Sequence, residues 1–275
     1  VIELAKFGKH IVVEKPMALT LSDADKMISA CAEANIKLFV VKQNRFNVPV
    51  IKLKGALDEG RFGKIVMGTV RVRWSREQQY YDQDPWRGTL SLDGGVLANQ
   101  ASHHIDLLEW MLGEPVSVYA KGKTALVNIE AEDTAVAIIK FSSGAFGVVE
   151  ATTATRPRDL EGSISILGEM GSVVIDGFAV NKMTTWNFVD QSSGDKNVLD
   201  SFSVNPPNVY GFGHQAYYEN VVKSILDSEQ QLVDGQEGRK SLELILAMYE
   251  SIETGLEVEL GKNKQSTQIL PGNKK

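Results

Sequence analysis

Two stretches of this chain carry side chains that can take hydrogen from an alcohol carbon. Glu14-Lys15-Pro16 closes the apolar run His10-Ile11-Val12-Val13 and places a lysine ammonium at a strand end. Far along the chain, Asn99-Gln100-Ala101-Ser102-His103-His104-Ile105-Asp106 opens a helix with an amide, two imidazoles and a carboxylate. Oxidising a carbinol requires the hydroxyl proton to leave as the C–H bond weakens. A base must lie within hydrogen-bond reach, and a cation or donor must hold the charge growing on oxygen. Lys15 can be that cation, because doubly wound sheets bind ligands at the carboxyl ends of their strands. His103 can be the base, since imidazole takes a proton near neutral pH. Asn99, His103, Asp106 and Trp110 fall at i, i+4, i+7 and i+11, one stripe if the helix begins near Asn99. His104 lies off the stripe and is assigned no chemistry. Adjacent histidines point apart on a helix and no third ligand joins them and Asp106, so no metal site is expected.

Either feature alone is ordinary. A lysine before proline is a common solvated strand end, and histidines at a helix start are commonly caps. Their joint presence is what points to a reaction. The elements that must position them begin with Val1 to Gly8, which reads as the last turns of a helix with Gly8 as its C-cap. Thr20 and Asp23 stand at capping-box spacing before a helix through Ala34, and Lys37 to Val41 is another apolar strand. This alternation is the tail of a doubly wound domain, assigned to residues 1–45. A helix over Ile51 to Glu59 follows, and then strands dominate: Ile65 to Trp74, Val116 to Lys123, Thr134 to Phe141, Ala145 to Thr155, Gly162 to Leu167 and Ser172 to Ile175. Gly144 and Gly168–Gly171 mark two hairpin-like connections. Residues 46–275 therefore read as an α+β domain with a large, mainly antiparallel open sheet. Helices over Ser102–Leu112, Gln215–Asp227 and Gln236–Glu253 are expected to cover one face. Gln191 to Gly213 reads as a long surface loop, and the tail from Gly261 as frayed.

Composition narrows the classes. A 275-residue chain that is 43% hydrophobic can bury a large core. Its net charge of -6 argues against nucleic acid or an anionic membrane as partner. No segment approaches the ~18 uninterrupted apolar residues of a membrane helix. A single cysteine, Cys31 on an apolar helical stripe, excludes a disulfide framework and fits the core of a cytoplasmic protein. A nicotinamide enzyme should carry a glycine-rich phosphate loop upstream of Glu14, and the sequence begins too late for one. The chain is thus expected to be the C-terminal majority of a dehydrogenase.

Gly8-Lys9-His10-Ile11-Val12-Val13-Glu14-Lys15-Pro16-Met17-Ala18 resembles the signature of the glucose–fructose oxidoreductase / inositol dehydrogenase (Gfo/Idh/MocA) family. Asp93-Gly94-Gly95-Val96-Leu97-Ala98-Asn99, continuing to Asp106, is similar to the family's second signature, a glycine-rich turn followed by Asp, His and Asp. The resemblance covers essentially the whole chain. It implies a Rossmann domain followed by an α/β domain whose open sheet commonly makes dimer or tetramer contacts. It also implies that Lys15 is the active-site lysine and His103 the acid/base. Glu14, Lys15, Gln43, Trp86 and Arg87 would lie near the cofactor, NAD, with NADP left open because the selecting residue would precede Val1. Two positions depart from the pattern. Asn99 stands where many members have aspartate and cannot accept a proton, so His103 would act with substrate or water. Ala101 replaces the usual glycine.

The stretches Glu132-Asp133-Thr134-Ala135, Thr152-Thr153-Ala154-Thr155-Arg156-Pro157 and Gly177-Phe178-Ala179-Val180-Asn181 narrow the resemblance to one subgroup. It is the bacterial UDP-N-acetylglucosaminuronate 3-dehydrogenases of surface-polysaccharide biosynthesis. That implies NAD-dependent oxidation of the C3 hydroxyl of a UDP-linked 2-acetamido-2-deoxy-glucuronate, with 2-oxoglutarate regenerating NAD in some members. Uronate and pyrophosphate favour arginines and amide donors. Expected substrate contacts are therefore Lys15, Arg73, Asn99, His103, Asp106, Arg156, Arg158 and Asn181. Two other readings stay open: the same chemistry on another sugar or polyol, and a non-catalytic oligomerising fragment.

Overall fold

β-Branched and alternating runs decide most of the architecture. The computed structural model describes residues 1–204, 206, 211–227 and 229–261. Helix α1 (Ile2–Ala5), strand β1 (Ile11–Val13), helix α2 (Leu21–Glu33) and strand β2 (Leu38–Val40) come first. β1 and β2 pair in parallel with Ile11 opposite Leu38, as a strand–helix–strand unit must. Thr20 caps α2 by accepting the Asp23 N–H at 3.0 Å, and Cys31 lies on the buried face of that helix. A 3-10 turn at Gln43–Phe46 leads into α3 (Val48–Asp58).

The larger sheet follows. Its strands are β3 (Ile65–Arg73), β4 (Pro115–Lys123), β5 (Thr134–Phe141), β6 (Phe146–Thr152), β7 (Glu161–Gly168), β8 (Gly171–Asp176), β9 (Lys182–Phe188) and β10 (Val258–Glu259). Between and after them lie α4 (Gln78–Tyr81), α5 (Ser102–Leu112), α6 (Val198–Ser201), α7 (Gly213–Leu226) and α8 (Gly235–Thr254). The order β10-β4-β5-β6-β3-β7-β8-β9 is antiparallel throughout except for the parallel β3–β6 pair. Ala135, Ala137, Ile139, Val149, Ala151, Val70 and Val72 point to the buried face, where α5 and α8 lie. The opposite face carries Tyr119, Val136, Ile138, Phe146, Arg71 and Arg73, and no helix among the described residues covers it.

Three local expectations change. Helix α7 packs against the turn at Gln43–Phe46 rather than on the large sheet. Strand β9 goes unnoticed in sequence because a bulge at Val174/Ile175 shifts its pairing and breaks the alternation, leaving Met183, Trp186 and Phe188 as its buried residues. The Gln191–Gly213 stretch is partly ordered: Asp195 binds Arg61 through both carboxylate oxygens, and Val198 is buried. Its remainder at 205 and 207–210, and the tail 262–275, lie outside the described residues. Among the described residues no helix is long and apolar enough to cross a membrane.

Candidate active site

The short parallel strand β1 ends just before Lys15, so the lysine leaves the carboxyl end of the sheet. Its Nζ donates to Asn99 O at 2.9 Å and to Asn99 Oδ1 at 3.4 Å. Burial, then the Lys42 charge, lowers the ammonium to about 8, with Asp93 and Glu14 opposing. Glu14 itself is exposed, and its carboxylate accepts the Lys15 N–H at 3.3 Å.

Asn99 does not begin the helix. It ends a tight turn held from a distance, and α5 starts at Ser102. Glu132 Oε1 accepts the Leu97 N–H at 2.9 Å and the Tyr249 hydroxyl at 3.1 Å, while Tyr249 Oη accepts the Gly95 N–H at 2.9 Å. Gly95 has no room for a side chain, since a Cβ would lie 2.1 Å from Glu132 O. Asn99 Nδ2 donates to Asp93 Oδ1 at 2.6 Å, and Asp93 Oδ2 accepts the Gly88 N–H at 2.8 Å. That last bond ties the Trp86–Arg87 segment to the lysine. Arg87 pairs with Asp84 and lies over the rings of Trp86 and Tyr80.

His103 stands on the first turn of α5, its Nε2 3.3 Å from Gln43 Nε2. Among the described residues its Nδ1 and the Gln43 Oε1 have no partner. Burial first, then the charges of Lys15, Lys42, His104 and His214, pushes the imidazole well below its ordinary value, so it is neutral at pH 7. Gln43 is held by α7: a Cβ on Gly213 would lie 2.0 Å from Gln43 O. His104 faces away, edge-on to Trp74 at 5.8 Å and lowered to about 4 by burial.

The structure separates the rest of the expected stripe from this opening. Asp106 is sealed, bound by Arg45 Nε and Nη2 at 2.9 Å each and facing Lys42 Nζ at 3.6 Å. Arg45 continues to Glu237 at 2.9 Å and lies over Trp110 at 5.0 Å. This buried cluster locks α5, the Gln43–Phe46 turn and α8 together, so Asp106 positions Gln43 and His103 rather than meeting a ligand. Arg73 points to the open sheet face, where Glu150 and Glu161 take its guanidinium. Asn181 is buried, its Oδ1 accepting the Ala179 N–H and its Nδ2 donating to Val204 O. Arg156 donates to the backbone carbonyls of Thr153, Thr155 and Arg76, and Arg158 is exposed. Arg76 lies over Trp74 and Tyr80, so an arginine–aromatic rim runs from Arg156 through Tyr80 to Arg87 and Trp86. Asp93, Lys42 and His214 were not singled out from sequence. Asp93 lay inside the glycine-rich stretch, whereas nothing local marked the other two. No group of three metal-ligating side chains occurs among the described residues.

The chain matches two family models: the oxidoreductase family's NAD-binding Rossmann fold over residues 1–42 and its C-terminal alpha/beta domain over residues 54–260. Among solved structures it is similar to the WlbA dehydrogenase of Bordetella pertussis in complex with NADH and UDP-GlcNAcA. Identity is 45%, TM-score 0.91, covering 95% of this chain and 75% of that one. The WlbA dehydrogenase of Chromobacterium violaceum, solved with the same two molecules, is also 45% identical, with TM-score 0.88 over 96% of this chain and 74% of that one. Myo-inositol 2-dehydrogenase of Thermotoga maritima is 29% identical over 266 residues, 94% of this chain and 75% of that protein. With the lysine, the histidine and the open antiparallel sheet in place, the chain belongs to the Gfo/Idh/MocA family of NAD-dependent oxidoreductases.

Proposed function

We propose that this protein oxidises the C3 hydroxyl of a UDP-linked 2-acetamido-2-deoxy-glucuronate, with NAD as acceptor. One observation carries the reading: a lysine ammonium held on Asn99 beside a neutral His103. It stands in a chain similar along nearly its whole length to a dehydrogenase solved with NADH and UDP-GlcNAcA. The carboxyl end of β1 and the unpartnered Gln43 Oε1 and His103 Nδ1 fit the polar end of a nicotinamide, with Glu14, Lys15, Trp86 and Arg87 around it. NAD, when bound, supplies the hydride acceptor.

The chain's own residues do the rest. With Gln43 Nε2 donating to it, His103 Nε2 is the unprotonated nitrogen of the neutral ring and the one that can accept the hydroxyl proton. Lys15 donates to the same oxygen and offsets the negative charge as the proton leaves. Asn99 holds the ammonium in place through both of its oxygens. Arg156 is bonded to backbone carbonyls and has no carboxylate partner among the described residues, so its charge is available to a uronate or pyrophosphate. Arg158 adds to that patch. In a protein of net charge -6, such a local cationic rim is what an anionic sugar nucleotide requires.

NADH absorbance on mixing the full-length protein, NAD and UDP-N-acetylglucosaminuronate tests the reading, with expected formation of NADH. Loss of the signal on adding 2-oxoglutarate would show recycling of the cofactor. Silence from cofactor-free protein, with NADH formed from a free polyol instead, would overturn the substrate assignment.

A further inference from the structure

We propose that Asp93 is a positioning residue for Lys15, acting through the side-chain amide of Asn99. The inference rests on Lys15 being the site cation. Three hydrogen bonds run in line, from the Gly88 N–H to Asp93 at 2.8 Å, from Asn99 Nδ2 to Asp93 at 2.6 Å and from Lys15 Nζ to Asn99 Oδ1 at 3.4 Å. A primary amide has two ends of nearly equal shape, one that only donates and one that only accepts. Lys15 needs the accepting end. Asp93 decides it, because an ionised carboxylate only accepts and therefore draws Nδ2 toward itself, turning Oδ1 to the ammonium. Without the carboxylate the amide is free to rotate and set a donor against a donor.

Asp93 also contributes charge. The groups facing Lys15 are Lys42, which follows β2, together with Asp93, Glu14 and the neutral His103. Those facing Asp93 are Lys15, Arg87, the Gly88 N–H and the Asn99 amide, with Tyr81 nearby. Lys42 repels the Lys15 proton, and Asp93 is the larger of the two opposing negative charges. At only 7% exposure Asp93 offers little surface to a substrate, and beyond its charge it acts on Lys15 through Asn99. Its own carboxyl titrates above the usual range because it is buried.

Nuclear magnetic resonance of the full-length protein labelled with carbon-13 at lysine Cε tests this, with the Lys15 signal assigned by its loss in Lys15→Arg. In the unmodified protein the signal should move with a midpoint near 8 and show a second, smaller inflection at acid pH as Asp93 takes a proton. Asp93→Asn should remove that inflection and lower the main midpoint by about one pH unit, the scale of losing a nearby opposite charge. The exchange Asp93→Asn with Asn99→Asp should return the midpoint to its original position or above it. A missing second inflection in the unmodified protein overturns the proposal, as does an unmoved midpoint in folded Asp93→Asn. If Asp93→Asn does not fold, the inflection in the unmodified protein decides. No sugar or NAD is needed, so failure of the substrate reading and failure of this proposal are separate results.

Discussion

Lys15 exchanges water for two oxygens of Asn99 and a repelling neighbour in Lys42, which explains why its ammonium sits near its titration point. As the site cation it must be protonated, so kcat/KM should fall as pH rises through about 8. His103 must be neutral to accept a proton. Its imidazole charges only well below its ordinary value, so the acid limb should lie below that value and leave a plateau between the two. A limb that instead rises through about 8 would make neutral Lys15 the base. Lys15→Ala should lower kcat by about 10²-fold or more and erase the alkaline limb, and His103→Asn should do likewise to the acid limb. Steady-state rates across pH check both. These two side chains are legible in sequence because each follows a local signal, a strand end and a helix start. The contacts that tune them are not. Asp93 reaches Lys15 through a turn whose shape is set by Glu132 and Tyr249, residues far away along the chain.

Helix α5 reads correctly in its span, while its stripe divides into two jobs. His103 faces the opening; one turn later Asp106 is clasped by Arg45 and Lys42 in the interior. Periodicity shows which residues share a helix face and says nothing of whether that face meets a ligand or an arginine from another element. Asp106→Asn should therefore act on stability. It leaves two buried cations short of a countercharge and should cost about 3–5 kcal/mol in denaturant unfolding. A substrate contact would instead raise KM with stability unchanged. Glu109 lies in the same region, and burial, then the Asp106 charge, raises its carboxyl to about 8. A carboxyl whose folded value exceeds its unfolded value holds its proton more tightly in the native state. Its penalty grows as pH climbs from the ordinary glutamate range toward 8. Glu109→Gln should raise Tm more at pH 8 than at pH 5, as calorimetry at the two pH values would show. The strands were readable for a simpler reason: Thr134–Phe141 alternates strictly between buried and exposed, whereas β9 lost that rhythm at a bulge.

Among the described residues, helices cover one face of the large sheet and none covers the other. On the open face Ile138 stands between Tyr119 on one neighbouring strand and Val148 on the other, Lys140 faces Phe146, and Val136 comes next along β5 on the other side of Ile138. Arg71, Arg73, Glu150 and Glu161 form a neutral ion-paired band beside this apolar area. Exposed apolar side chains continuous across several strands are what an interface buries and what a monomer seldom leaves in water. Complementary charges at its side would fix the register of a second copy. The face is accordingly expected to join copies of this chain as a dimer or tetramer. Ile138→Asp would set a charge in the middle of the apolar patch while leaving the buried face, the Lys15–Asn99 contact and α5 untouched. Light scattering after size exclusion should then give a smaller species than the unmodified protein, with unfolding still cooperative. An unmodified protein that is already monomeric at micromolar concentration would refute the assignment. A smaller species that keeps its turnover would show that the face assembles the protein without completing its site.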